Sequence, residues 1–146
     1  MKLSATLKQA IRDSGLTHYR ISKDCGVSAT IIDRFLSNDP ATHRDIRLEA
    51  TAEKLAKTLR LAIMPQSKSH AVETMGDRLR RAIAESGGNV AAIARGAGIS
   101  QPGLRLFTQG KDIRLESTAD KLAEFFGLRL AAIDASQSKS ARKKKA

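Results

Sequence analysis

A chain of 146 residues suits one ordinary domain or two very small ones, and its 26 lysines and arginines stand against only 15 acidic residues, giving a pI near 10.3. That balance favours a polyanionic partner, nucleic acid or an anionic membrane surface. One cysteine, Cys25, excludes an internal disulfide framework and a multi-cysteine metal site, and no apolar run approaches the roughly 20 residues that span a bilayer.

In chain order, Leu7, Ala10 and Ile11 form a helical stripe that Ser14-Gly15 ends. Thr17 is an N-cap type and opens a short helix that buries Ile21 and Cys25. Gly26 then permits a tight turn, Val27 plugs it, and Ser28 caps a third helix carrying Ile32 and Phe35 toward the core. Leu48, Ala52, Leu55 and Leu59 space a fourth helix, which should pack on the back of the first three. The apolar run Leu59 to Ile63 reads as an edge strand.

The same series then recurs. "LKQAIRDSGLTHYRISKDCGVSATIIDRFLS" from Leu7 aligns with "LRRAIAESGGNVAAIARGAGISQPGLRLFTQ" from Leu79 at an offset of 72. "DIRLEATAEKLA" from Asp45 aligns with "DIRLESTADKLA" from Asp112 at an offset of 67, so copy one holds a five-residue insertion, Pro40 to Arg44. In copy two, Asn89 and Ser100 are the caps, Gly98 the turn, Ile93, Leu104 and Phe107 the core positions. The run Leu128 to Ile133 is the second candidate strand, and pairing of the two strands between copies is open. Two copies are too few for a solenoid, so each unit is expected to be its own small domain. The expected fold is mainly all-α: two tandem four-helix units, 1–64 and 78–134, a linker at 65–77, and a disordered basic tail at 135–146. That tail carries five cations and no acidic group, nearly half of the net excess of 11.

A capped short helix, a glycine turn and a Ser-capped second short helix, as in "GLTHYRISKDCGVSATIIDRFLS", resemble the repressor/Cro type of helix-turn-helix. The resemblance covers both copies, about four fifths of the chain. It implies that the third helix of each unit lies in the major groove of double-stranded DNA, its N-terminal residues at base edges, with phosphates held by the preceding helix and nearby loops. It further implies a transcription regulator of the prokaryotic or phage kind. Carried over by position, the base-reading residues are Ser28, Ala29, Thr30, Asp33 and Arg34 in copy one, and Ser100, Gln101, Pro102 and Arg105 in copy two, where Leu106 stands at the position of Arg34. A guanidinium at Arg34 can bond guanine O6 and N7 together, Gln101 can read adenine, and Ala29 and Thr30 can pack on a thymine methyl. Candidate phosphate contacts are His18, Lys23, His43, Arg44, Arg95, Lys111 and the tail residues Arg142, Lys143, Lys144 and Lys145. Arg47 and Arg114 either contact DNA or brace the fourth helix, with bracing preferred.

No phosphate loop, paired-histidine metal motif or nucleophile-base spacing marks an enzyme, and no cofactor or metal is implied. Aromatic residues at 3% are too few for the stacking platforms of single-strand recognition. The leading expectation is a sequence-specific DNA-binding regulator, cytoplasmic and nucleoid-associated, in which one chain carries both reading heads of a pseudo-dimer. A nonspecific architectural DNA binder and an antitoxin-like protein-interaction module are the alternatives. Further self-association is open.

Overall fold

The computed structural model describes residues 2–66 and 73–133. Eight helices and one two-stranded sheet make up these residues. Copy one contains α1 (Leu3–Asp13), α2 (His18–Cys25), α3 (Ala29–Leu36), α4 (Glu53–Leu59) and β1 (Leu61–Met64). Copy two contains α5 (Met75–Glu85), α6 (Val90–Ala97), α7 (Gln101–Thr108), α8 (Asp120–Phe126) and β2 (Arg129–Ala132). A wide π turn, Leu48–Ala52 or Leu115–Ala119, leads into α4 or α8. No helix of the described residues is long and apolar enough to cross a membrane.

Each helix start read from the sequence is closed by its own side chain. Thr17 accepts from the Arg20 N–H at 3.0 Å, Ser28 from Thr30 at 3.2 Å, Asn89 from Ala92 at 3.0 Å and Ser100 from Gly103 at 3.2 Å. A cap of this kind contributes about 1 kcal/mol. The turns after α2 and α6 need a left-handed residue, and Gly26 and Gly98 supply φ of 78° and 75° there. The strands are shifted or shorter than the sequence reading, Leu61–Met64 and Arg129–Ala132, and one helix boundary differs as well. Thr74 caps α5, so Met75, Gly76 and Asp77 of the segment read as linker are helical. Met75 is 1% exposed, and burying it favours extending the helix N-terminal of Gly76.

The boundary between the copies in sequence is not a boundary in packing. Leu3, Leu7, Ile32, Phe35, Leu48 and Leu55 belong to one buried cluster with Leu79, Leu104, Phe107, Leu115 and Leu122. Helix α1 packs on α4 and also on α8, β2 and the π turn of copy two; α5 packs on α8 and also on β1 and the π turn of copy one. Strands β1 and β2 pair antiparallel, Leu61 opposite Ala132 and Met64 opposite Arg129. Ile63 and Leu130 are partners in that ladder and both face the core, at 0% and 4% exposure, so a one-residue slip would turn them out.

Where the copies cross, the duplicated "DIRLE" segments run against each other. Arg47 and Arg114 form an isolated antiparallel bridge; Leu48 N–H donates to the Ile113 carbonyl and Leu115 N–H to the Ile46 carbonyl, both at 2.7 Å. The carboxylate of Asp45 accepts from the N–H groups of Glu116 (2.8 Å) and Ser117 (3.0 Å), and that of Asp112 from Glu49 (2.7 Å) and Ala50 (2.9 Å). Each copy therefore caps the other's fourth helical segment. Ion pairs repeat the exchange. Lys8 lies over its own Phe35 ring and pairs with Glu116 of copy two at 2.6 Å; Arg80 lies over its own Phe107 ring and pairs with Glu49 of copy one at 2.7 Å. The amide ends of the first helices are held the same way, Ser4 N–H by Asp120 at 2.9 Å and Met75 N–H by Glu53 at 2.8 Å. Burial pushes the carboxyls of Asp120 and Glu53 above their ordinary range, and these hydrogen bonds pull partly the other way.

Candidate nucleic-acid interface

The residues that bury α3 are Ile32 and Phe35, and α7 buries Leu104 and Phe107 in the same way. With those faces inward, Ser28, Thr30, Asp33 and Arg34 are exposed on α3, and Ala29 is half-buried. On α7, Ser100, Gln101, Pro102, Arg105 and Leu106 are exposed. Pro102 falls in the first turn of α7, where its missing N–H has no intrahelical partner to lose. Ile31 and Leu106 are large apolar side chains left 41% and 48% exposed on these two helices. Ile31 was not among the sequence candidates. Its only signal is that it falls one position outside the 3.6-residue stripe set by Ile32 and Phe35.

The cationic candidates divide by partner. Arg34, Arg95, Arg105 and Lys111 are exposed and their side chains make no ion pair among the described residues. Lys23 lies over the exposed Tyr19 ring, 5.3 Å from its centre. His18 is bonded through Nδ1 to Asp33, which ties α2 to α3 and joins a phosphate candidate to a base-reading candidate. His43 is placed differently from its sequence reading. Its two ring nitrogens face the Ser37 carbonyl, at 3.1 Å, and the Glu116 carboxylate, so this insertion residue ties copy one to copy two. Arg142, Lys143, Lys144 and Lys145 lie outside the described residues.

Arg44 is held to the end of α3: its N–H donates to the Arg34 carbonyl at 3.1 Å, and its guanidinium to the His43 carbonyl at 2.8 Å. This brings it to a concavity of about 300 Å³ lined by Ile31, Arg34, Arg44, Asp45, Ile46, Arg47, Thr51 and Arg114. For Arg47 and Arg114 the sequence leaves DNA contact and bracing of the fourth helix both open, with bracing preferred. They are exposed, they meet at the crossing of the two copies, and the one side-chain hydrogen bond between them and the rest of the crossing is from Arg114 to the Asp45 carbonyl, at 3.5 Å. By contrast, the cations that join the copies, Lys8 and Arg80, each have a carboxylate. A guanidinium without a carboxylate keeps its donors for a ligand, and several in one concavity raise the local positive potential.

What these surfaces can do is therefore specific in type. Two helices from opposite copies expose short polar side chains, a long bidentate donor and apolar tips, which is the repertoire for reading base edges and thymine methyls. Beside α3 lies a concavity lined by arginines and suited to oxyanions. Neither family models, nor curated proteins, nor solved structures provide any match to this chain.

Proposed function

We propose that this protein is a sequence-specific double-stranded DNA-binding regulator, built from two helix-turn-helix units that act as a covalent pseudo-dimer. Helices α3 and α7 are its reading elements, each entering the major groove of one half-site. The observation that carries this reading is the pairing of two exposed, Ser-capped helices from copies that are locked together through a reciprocal crossing. A two-fold duplex site is met in the same way by a dimeric repressor, whose half-sites lie about 34 Å apart.

In this reading Arg34 donates two hydrogen bonds to guanine and Gln101 pairs with adenine. Thr30, Ile31 and Leu106 pack on thymine methyls. Lys23, Arg95 and Lys111 hold phosphates on the flanks, and the basic tail adds affinity without sequence preference. Because α3 and α7 carry different side chains, the two half-sites differ, and the preferred site is an imperfect palindrome.

Selection of bound sequences from a random duplex pool tests this. A bipartite motif with two unlike halves is expected. Recovery of unselected sequence at measurable affinity would instead leave an architectural DNA binder, and no recovery at all would remove DNA as the partner.

A further inference from the structure

The arginine concavity is one-sided: Arg34, a base-reading candidate, stands in its wall, and the rest of its cations lie off the reading helices. Its wall takes Ile31 and Arg34 from α3, Arg44 from the insertion, and Arg47 and Arg114 from the two bridged segments of the crossing. In copy two the positions of Ile31 and Arg34 hold Gly103 and Leu106, and the insertion that brings Arg44 is absent. A matching site on that side would have only Arg47 and Arg114, which the first site already uses. Asp45 is the one acidic residue in the wall, and its oxygens are engaged by the N–H groups of Ile46, Glu116 and Ser117. Four arginines thus line a cavity of about 300 Å³ against one carboxylate, so its wall keeps a net positive charge.

Resting on the DNA-binding reading above, we propose that this concavity is a phosphate site that seats the duplex backbone between the two half-sites, displaced toward copy one. The guanidinium fork matches a phosphodiester's two free oxygens, so Arg44 and Arg47 or Arg114 can clamp one phosphate from both sides. The site then grips the duplex asymmetrically. A symmetric homodimer cannot do this, and a five-residue insertion in one copy of a fused pair can.

The test is a scan of single methylphosphonates, each removing one backbone charge, across the centre of the selected duplex, using the full chain. One phosphate or two neighbours, off centre toward the copy-one half-site, should each lower affinity about tenfold when neutralised. In Arg44→Ala the same substitution should lose most of its effect. Arg44→Ala and Arg47→Ala should each weaken selected and random duplexes equally and reduce the slope of log affinity against log salt by about one unit. The scan with unaltered protein keeps the inference testable if a variant fails to fold. A flat scan on a duplex that binds well overturns this inference alone; a chain that binds no duplex overturns the functional reading beneath it. Inorganic pyrophosphate tests for a free anion: submillimolar binding abolished by Arg44→Ala would overturn the backbone assignment and give the concavity to a small phosphorylated ligand.

Discussion

Helices α3 and α7 occupy equivalent places and bury the same kind of large apolar residue, yet almost nothing on their outward faces agrees. Inside, Ile32 and Phe35 correspond to Leu104 and Phe107, all at 0% exposure. Outside, Ala29, Thr30, Ile31 and Arg34 correspond to Gln101, Pro102, Gly103 and Leu106. The residues at the crossing are the opposite case: Asp45 and Asp112, Arg47 and Arg114, Glu49 and Glu116 are the same residues in the same roles. The repeated phrase therefore belongs to the joint between the copies. Each half has kept what the other half must recognise and has changed what faces solvent.

The largest expected effect comes from breaking the joint. Expressed alone, residues 1–66 lack the partner for α1, β1 and the π turn, so no cooperatively folded monomer is expected. Because Glu49 and Asp45 retain the chemistry of Glu116 and Asp112, the fragment should fold as a homodimer whose melting temperature rises with concentration. Circular dichroism and sedimentation check this, and a folded monomeric fragment would show that each copy has a core sufficient for itself.

Removing one exchanged cap is milder. Asp45→Ala and Asp112→Ala should each cost about 1 to 2 kcal/mol in urea unfolding, at the upper end of the range for N-caps since each strips two backbone donors in the other copy. Similar losses from the two would sharpen the equivalence of the joint; a loss from only one would break it.

On the outward faces, Arg34→Ala should lose about 1 to 3 kcal/mol on the preferred duplex and relax base choice at one position of one half-site. Leu106→Ala should cost less, about 1 kcal/mol, and Leu106→Arg should alter base preference in the other half-site. Equal weakening of specific and random duplexes by Arg34→Ala would make Arg34 a phosphate contact.

The smallest effect is a pH dependence at Asp120. Its raised carboxyl pKa means that the folded chain binds this proton more tightly than the unfolded chain does. Stability from this group is thus fullest below the ordinary carboxyl pKa and declines as pH rises through the raised value. Wild type should gain on the non-titrating Asp120→Asn as pH falls from neutral through the carboxyl range, in urea titrations at stepped pH.

Local features were legible in the sequence because their causes are local. Thr17, Ser28, Asn89 and Ser100 cap helices within three residues of themselves, Gly26 and Gly98 make their own turns, and a 3.6-residue period separates Ile32 and Phe35 from Arg34. The pairing of β1 with β2 was open in the sequence, since short apolar runs alone do not choose a partner. What could not be read was every tie whose partner sits in the other copy. Asp45 gives no sign in the sequence that it closes a segment 71 residues onward. His43 looks like a loop cation free for phosphate, and the sequence leaves Arg47 and Arg114 open between DNA contact and bracing, because only the crossing decides which carboxylates are near.

The exchanged caps also govern how the chain matures. Copy one leaves the ribosome before the residues that complete it exist, and a lag of roughly 70 residues at about 5 to 20 residues per second lasts several seconds. During that time its π turn has no cap and its α1 no partner across the joint, while other nascent copies carry an equivalent Asp45. Fusion settles this competition by proximity: the second half arrives tethered, at an effective concentration on the order of millimolar, far above that of any neighbouring chain. A mispaired dimer of two first copies would bring its two second copies together as well, giving a closed two-chain swap whose reading helices are paired like with like, whereas closure within one chain pairs α3 with α7.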